Sequence, residues 1–326
     1  MSDLNVLVII PCLNEEAHIE KLLLQLISES PKLIVVADGG STDKTIEIVK
    51  QYSKNYPNIK LINNHKKIQS AGINLAVKEY GYGFKYFIRV DAHGEYPDDF
   101  LKTLYQEVLN LKADSIVISM DTFGENGFQK AAACAQNSKL GNGGSAHRNN
   151  SDGEWVIHGH HALMSIEAFE KVGGYDETFV ANEDAELDFR LTAAGYKIWL
   201  TGKTKMKYYP RSTLKALFVQ YYRYGVGRAS NALKHKQIPK IRQLIPLSVF
   251  PCLLMCLLAS ISWVFTFPFI GWLSICLGYG TLLALKSRSL TNLLSGLIAA
   301  TMHYGWSMGF CNKLLKSALN SAMGKS

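Results

Sequence analysis

A chain of 326 residues with 35 Lys and Arg, 27 Asp and Glu and six Cys is long enough for one large domain or two moderate ones. The cysteines show no C-x-x-C pair and no framework spacing, which excludes a disulfide scaffold and reads as buried thiols in a reducing compartment. The net charge of +8 conceals an asymmetry: every acidic residue lies at or before Asp188, and the last 138 residues carry 18 basic side chains and no acid. A basic half of this kind suits anionic lipid or phosphorylated substrate, and the long apolar segments within it argue against nucleic acid.

Residues 4–10 form a continuous apolar run with strand character, ending in Pro11-Cys-Leu-Asn14-Glu15-Glu16. The run begins almost at the N-terminus, so no cleavable signal peptide is expected. Residues 17–27 carry Ile19, Leu22, Leu23, Leu26 and Ile27 at helical spacing. A second strand over 33–37 ends in Asp38-Gly-Gly-Ser-Thr-Asp43, with Ser41 or Thr42 as the expected cap of the next helix. A third strand over 59–62 and a helix over 70–78 follow. Strands alternating with helices predict an α/β fold with a mostly parallel sheet covered on both faces.

The first turn lacks G-x-G-x-x-G, which disfavours a dinucleotide site. Acidic or amide residues recur at the strand ends instead: Asn14, Glu15, Asp38 and Asp91. Such groups suit ribose hydroxyls, base N–H groups and a metal ion, and they repel bare phosphate unless a cation intervenes. The fourth strand, over 86–90, carries this furthest. It ends in Asp91-Ala-His93-Gly-Glu-Tyr-Pro97, where ligands bind in open α/β sheets. A carboxylate and an imidazole one residue apart can both reach a divalent cation carrying a diphosphate.

Residues 123–161 are rich in Gly and Asn, and Gly141-Asn-Gly-Gly-Ser-Ala-His-Arg148 reads as a mobile loop. His158, Gly159, His160 and His161 then cluster. They are open to three readings: metal ligation, lining of an acceptor pocket, or packing. Asn182-Glu183-Asp184 opens a helix with an apolar stripe at Leu187, Leu191 and Ala194. Its dipole favours carboxylates in the first turn. Glu183 and Asp184 are there either as a capping cluster or as the source of a general base.

Between Arg242 and Lys286 no residue is charged, which predicts spans over about 244–265 and 268–285 joined by a tight turn at 266–271. A third uncharged stretch, 289–312, contains His303, Gly305 and Gly309 and is expected to span, re-enter or lie in the interface. The expected organisation is a catalytic domain over 1–202, a basic juxtamembrane segment over 203–243 and a membrane domain over 244–326.

Together these residues resemble the family 2 glycosyltransferases, inverting enzymes of the GT-A fold. The likeness covers roughly residues 5–230 and is carried by Pro11-x-x-Asn14-Glu15, Asp38-Gly-Gly-Ser-Thr-Asp43, Asp91-x-His93 and Glu183-Asp184, in that order. Arg89-Val-Asp-Ala-His93, Gly159-His-His-Ala-Leu-Met164, Asn182-Glu-Asp-Ala-Glu-Leu-Asp188 and Gln220-Tyr-Tyr-Arg-Tyr-Gly225 are most similar to the succinoglycan-biosynthesis glucosyltransferase branch.

The resemblance implies transfer of a sugar, glucose first, from a UDP-sugar to a saccharide or lipid-linked saccharide acceptor, with Mn²⁺ or Mg²⁺ as cofactor. Pro11, Asn14, Glu15, Asp38, Asp91 and Arg223 would bind the nucleotide sugar, and Asp91 and His93 the metal. Glu183, His160, His161, Gln220 and Tyr224 would meet the acceptor, and Asp184 would be the catalytic base. The family's usual Asp-x-Asp is Asp-x-His here, which suits Mn²⁺. The implied location is the inner (cytoplasmic) membrane, with the catalytic part facing the cytoplasm and membrane lipids as partners. Two other functions compete: a polyprenyl-phosphate glycosyl synthase, disfavoured because phosphate needs no general base, and a non-catalytic membrane sugar-binding subunit.

Overall fold

The computed structural model describes residues 4–143, 152–239 and 241–323. The chain separates into two compact units: Met1–Met120 with Asn149–Phe179 and Glu183–Lys207, and Asp121–Arg148 with Val180–Asn182 and Tyr208–Ser326. Of the described residues, 121–143 thus fall in the second unit. The stretch 144–151, most of the expected mobile loop, lies outside the described residues.

The first unit begins as the sequence predicts. Strand β1 (Leu4–Cys12), helix α1 (Ile19–Ser28), β2 (Pro31–Asp38), α2 (Thr45–Asn55), β3 (Ile59–Asn63), α3 (Gln69–Tyr80) and β4 (Tyr86–Arg89) alternate in order. They are followed by α4 (Phe100–Leu111), β5 (Ser115–Thr122), β6 (Glu154–Val156), β7 (His160–Ser165), α7 (Ile166–Lys171), α8 (Glu183–Ala193) and β8 (Ile198–Tyr208). The sheet order is β3-β2-β1-β4-β7-β5-β8-β6. The wing β3-β2-β1-β4 is parallel, and beyond it β7 pairs antiparallel with both β4 and β5.

Side chains alternate across β1 because the strand period is two. Val6, Val8 and Ile10 pack with α1 and α4 on one face. Leu7 and Ile9 pack with α3, α7 and α8 on the other. Covering both faces is what a parallel sheet requires, and it leaves the carboxyl ends of β1, β2 and β4 as the place where polar side chains meet. The cap of α2 differs from expectation: Lys44 stands at the N-cap, and the Asp43 carboxylate accepts the Thr45 N–H at 3.0 Å.

The second unit is helical: α5 (Gly127–Asn137), α6 (Lys139–Asn142), α9 (Leu214–Lys234), α10 (Ile241–Met255), α11 (Phe267–Ser287) and α12 (Leu294–Ala322). Two stretches, Gln243–Ser260 and Trp263–Ser287, are long and apolar enough to cross a membrane, and only 6% and 17% of their residues are buried. So little internal contact separates them from soluble core helices and points to membrane association. The break between them falls at Ile261 and Ser262, ahead of the expected turn, because α11 already starts at Phe267 with Pro268 in its first turn.

Most of the third apolar stretch, from residue 294 on, lies in α12, a helix of 29 residues, and its start forms a short 3-10 turn over Leu290–Leu293. Helix α12 packs on α9 backbone to backbone. A Cβ on Gly225 would stand 2.0 Å from the Trp306 carbonyl oxygen, and one on Gly309 2.1 Å from that of Tyr222. Small residues at such crossings let helix axes approach closely. Ala131, Ala132 and Ala135 of α5 pack with Ile298, Ala299 and Met302 of α12 around Leu217.

Candidate active site

The loops after β1 and β2 are sewn together by backbone amides. Asn14, held at φ 58°, accepts the Thr42 N–H at 2.8 Å through its side-chain oxygen and donates its own N–H to Ser41 Oγ at 2.8 Å. The Glu15 N–H donates to Thr45 Oγ1 at 2.8 Å. Asp38 is 3% exposed and accepts from the Gly40 and Ser41 amides at 2.7 and 2.9 Å. These contacts tie together the loops at the carboxyl ends of β1 and β2, with Pro11, next to last in β1, opposite Ala37 of β2.

Beyond β4, the backbone N–H of Asp91 donates to the Tyr96 hydroxyl at 2.8 Å. Gly94 is required here, since a Cβ on it would stand 2.7–2.9 Å from the Tyr96 ring and hydroxyl. The Asp91 carboxylate accepts from Gln69 Nε2 at 2.7 Å and from Arg89 Nε at 3.2 Å, both on Oδ1. Arg89, 5% exposed, donates its Nη1 to Asp184 Oδ1 at 2.8 Å. Tyr175 adds its hydroxyl to the same Asp184 oxygen at 2.8 Å. On the other side, His160 Nε2 lies 3.4 Å from Asp91 Oδ2, and its Nδ1 lies 3.7 Å from Asp184 Oδ2. Asp91 and Asp184 are thus joined twice.

Charge follows from this arrangement. Burial pushes the Asp91 carboxyl up, but the Arg89 guanidinium and then His160 outweigh it and hold Asp91 far below the usual carboxylate range. The same contest, won by Arg89, His161 and His160, lowers Asp184. Its neighbour Glu183 goes the other way: burial and the charge of Asp184 push it up to about 7. Adjacent carboxyls at the start of α8 are therefore in different states at neutral pH, one an acceptor and one able to donate.

The family 2 glycosyl transferase model matches residues 7–173, and that of glycosyl transferase family group 2 matches residues 94–308. The chain belongs to glycosyltransferase family 2. This family 2 chain is 52% identical over 312 residues to the succinoglycan biosynthesis protein ExoA of Rhizobium meliloti (strain 1021), covering 95% of this chain and 94% of that protein. A second relative, from Methanococcus voltae, is named dolichyl N-acetyl-alpha-D-glucosaminyl phosphate 3-beta-D-2,3-diacetamido-2,3-dideoxy-beta-D-glucuronosyltransferase. It is 28% identical over 68% of this chain and 72% of its own length. Among solved structures, the mannosyltransferase PcManGT from Pyrobaculum calidifontis, in complex with GDP-Man and Mn²⁺, shares the fold at TM-score 0.59 and 18% identity. The match covers 94% of this chain and 88% of that one. S. aureus TarS 1-349 with UDP-GlcNAc matches at TM-score 0.52 and 15% identity, over 95% and 92% of the two chains. The family 2 chain is accordingly a glycosyltransferase on a GT-A-like fold.

The residues present fit a divalent cation as a partial donor set. Asp91 is held far below the usual carboxylate range, and its Oδ2 lies 3.4 Å from His160 Nε2. The imidazole of His93 stands two residues on, its Nδ1 3.1 Å from Glu15 Oε1. Among the described residues no three His, Cys, Asp or Glu side chains converge on one point. The site therefore suits an ion whose remaining ligands are diphosphate oxygens and water, as Mg²⁺ and Mn²⁺ commonly are bound.

Glu15 is shared between His93 and His18, each at 3.1 Å; burial raises its carboxyl, and these two contacts bring it net below its usual value.

His161, expected at the acceptor, is turned away. It is 2% exposed and lies between Ser115 Oγ at 3.0 Å and Asp188 Oδ1 at 2.7 Å. The reason is strand alternation: β7 sends His160 to one face and His161 to the other. Gln220, Arg223 and Tyr224 belong to α9 of the second unit. There Gln220 Nε2 donates to the Tyr208 and Tyr224 hydroxyls at 2.8 and 3.0 Å, and the Arg223 side chain is exposed.

The residues missed by sequence reasoning are Arg89, Tyr175, Tyr96 and Gln69. Arg89 had a signal. A cation in the apolar strand Tyr-Phe-Ile-Arg, two positions before Asp91, must share that carboxylate's face. Tyr175, Tyr96 and Gln69 had none, since their contacts cross between elements.

Proposed function

We propose that the protein transfers a sugar, glucose in the first instance, from a UDP-sugar to a saccharide acceptor carried on a lipid, inverting the anomeric centre, in cell-surface or exopolysaccharide synthesis. The observation that carries this reading is the double link between Asp91 and Asp184 through Arg89 and His160, which supports a metal-binding role for the first carboxylate beside a base role for the second. The likeness to a succinoglycan biosynthesis protein supports the product class. The Methanococcus voltae relative, by its name, acts on a sugar borne on dolichyl phosphate, which supports a lipid-linked acceptor.

In this reading Asn14, Glu15 and Asp38 shape the crevice for the nucleoside, and Asp91 and His93 hold the divalent ion. When bound, that ion supplies neutralisation of the charge developing on the diphosphate. Asp184, ionised at neutral pH, takes the proton from the acceptor hydroxyl as it attacks the anomeric carbon from the opposite face. Its base strength is modest, because Arg89 and Tyr175 hold Oδ1. A weak base suffices when the attacked carbon carries most of the developing charge. Glu183, pushed up to about 7 by burial and the Asp184 charge, is placed to meet a sugar hydroxyl in this reading. The two apolar helices anchor this chemistry at the cytoplasmic face of the inner membrane, where nucleotide sugars and lipid carriers meet.

The test is a panel of nucleotide sugars offered to the purified full chain in detergent, with lipid-linked saccharides and Mn²⁺. Release of UDP that depends on the acceptor is expected. Release of GDP from GDP-sugars, with no UDP from UDP-sugars, would replace the donor assignment, and nucleotide release without any need for acceptor would remove the transfer.

A further inference from the structure

Asp188 lies one turn beyond Asp184 on α8 and is 1% exposed. A buried carboxylate costs several kcal/mol unless it is paired, and the contacts of the Asp188 carboxylate fall on one short piece of chain: hydrogen bonds at Oδ2 and a close charge contact, without hydrogen-bond geometry, at Oδ1. Its Oδ1 stands 2.7 Å from His161 Nε2, and its Oδ2 stands 2.7 Å from His158 Nδ1 and accepts the Gly159 N–H at 3.2 Å. These three groups flank His160 on both sides.

The surrounding geometry makes this the anchor of the segment. A Cβ on Gly159 would stand 2.3 Å from Val117 Cγ2, so the chain runs flush over β5 at that point. Ser115 of β5 meets the far side of the His161 ring at 3.0 Å, and its hydroxyl donates a hydrogen bond to the Leu163 carbonyl at 3.3 Å. Burial works against charge on His161, and the nearby Asp188 charge outweighs it, so the imidazole is held above its usual value. With His161 locked inward, alternation aims His160 at Asp91 and Asp184.

We propose that Asp188 is a positioning residue for the transfer reaction: it clamps His158, Gly159 and His161 so that His160 bridges Asp91 and Asp184. The helix that carries the base thereby also sets the imidazole between base and donor site. This inference rests on the reading of Asp91 and Asp184 given above. Misplacing a reacting group by about 1 Å can cost about 10²-fold in rate.

A purely structural Asp188 would lower activity whether or not His160 is present. A double-mutant cycle separates the two, because residues acting as one unit are not additive. The full-length wild type, Asp188→Asn, His160→Ala and the double variant would be compared in detergent for kcat and for Mn²⁺-dependent UDP affinity. Asp188→Asn is expected to lower kcat by about 10–100-fold, and to add less than about two-fold to the loss already made by His160→Ala. The UDP affinity, which needs no turnover, should move to the same value in all three variants.

His158→Ala removes one of the three contacts at a side chain 40% exposed. It gives the same non-additive pattern with a smaller loss if Asp188→Asn does not fold. Equal fold-losses in both backgrounds, or an Asp188→Asn protein with wild-type kcat and affinity, would overturn the proposal. A wild type that neither binds UDP with Mn²⁺ nor releases it from a UDP-sugar would instead overturn the underlying function.

Discussion

Asp91 and Asp184 share one guanidinium: Arg89 holds the first through Nε at 3.2 Å and the second through Nη1 at 2.8 Å. Two carboxylates this close would repel, and the buried cation between them makes both ionised states tolerable. Arg89→Met removes it and leaves two half-buried carboxylates with only His160 between them. Breaking a buried pair costs about 3–5 kcal/mol, so thermal unfolding should show a drop of many degrees. Arg89→Lys should recover part of the stability but less of the activity, because an ammonium lacks the planar fork that serves two carboxylates.

The donor side is tested through the metal. Asp91→Ala should lose Mn²⁺-dependent UDP binding and activity together, and EDTA should do the same to the wild type. His93→Asp should remain active with its preference shifted toward Mg²⁺, since an all-oxygen set is harder. Isothermal titration with UDP and each metal reads both outcomes.

Glu183 gives a pH signature. The folded protein keeps its proton up to about 7, whereas the ordinary carboxyl value is 4.5. The folded state therefore binds more protons across that window. Stability is fully present below 4.5 and is lost as pH rises through 7. Glu183→Gln should unfold at a higher temperature than wild type at pH 8, by up to about 3 kcal/mol in stability, with the gap shrinking toward pH 5.

The parallel wing was legible because β1 to β4 are apolar runs that end in turn residues, each followed by a helical stripe. The acidic strand ends Glu15, Asp38 and Asp91 stood out for the same reason. What the sequence did not disclose was contact between distant elements. The antiparallel insertion of β7 between β4 and β5 decides that His160 meets Asp91, and no local pattern encodes it. The grouping of Asp121–Arg148 with the helical unit was equally hidden, since Ala131, Ala132 and Ala135 read as ordinary helix formers. Gly305 and Gly309 carried a signal: their four-residue spacing marks a close helix crossing, which the structure shows α12 making with α9.

That crossing predicts a steric effect away from the chemistry. Gly309→Ala places a methyl 2.1 Å from the Tyr222 carbonyl, and overpacking typically costs about 1–3 kcal/mol. The variant should melt earlier in detergent, while Gly271→Ala, where nothing lies within 4 Å, should not.

The central claim is that Asp184 accepts the acceptor's proton while Asp91 serves the donor. It is tested most directly by Asp184→Asn, measured for both UDP affinity with Mn²⁺ and sugar transfer. Loss of a general base costs about 10²–10⁴ in rate, so transfer should fall by that factor with UDP affinity within a few-fold of wild type. Wild-type turnover in Asp184→Asn would contradict the account.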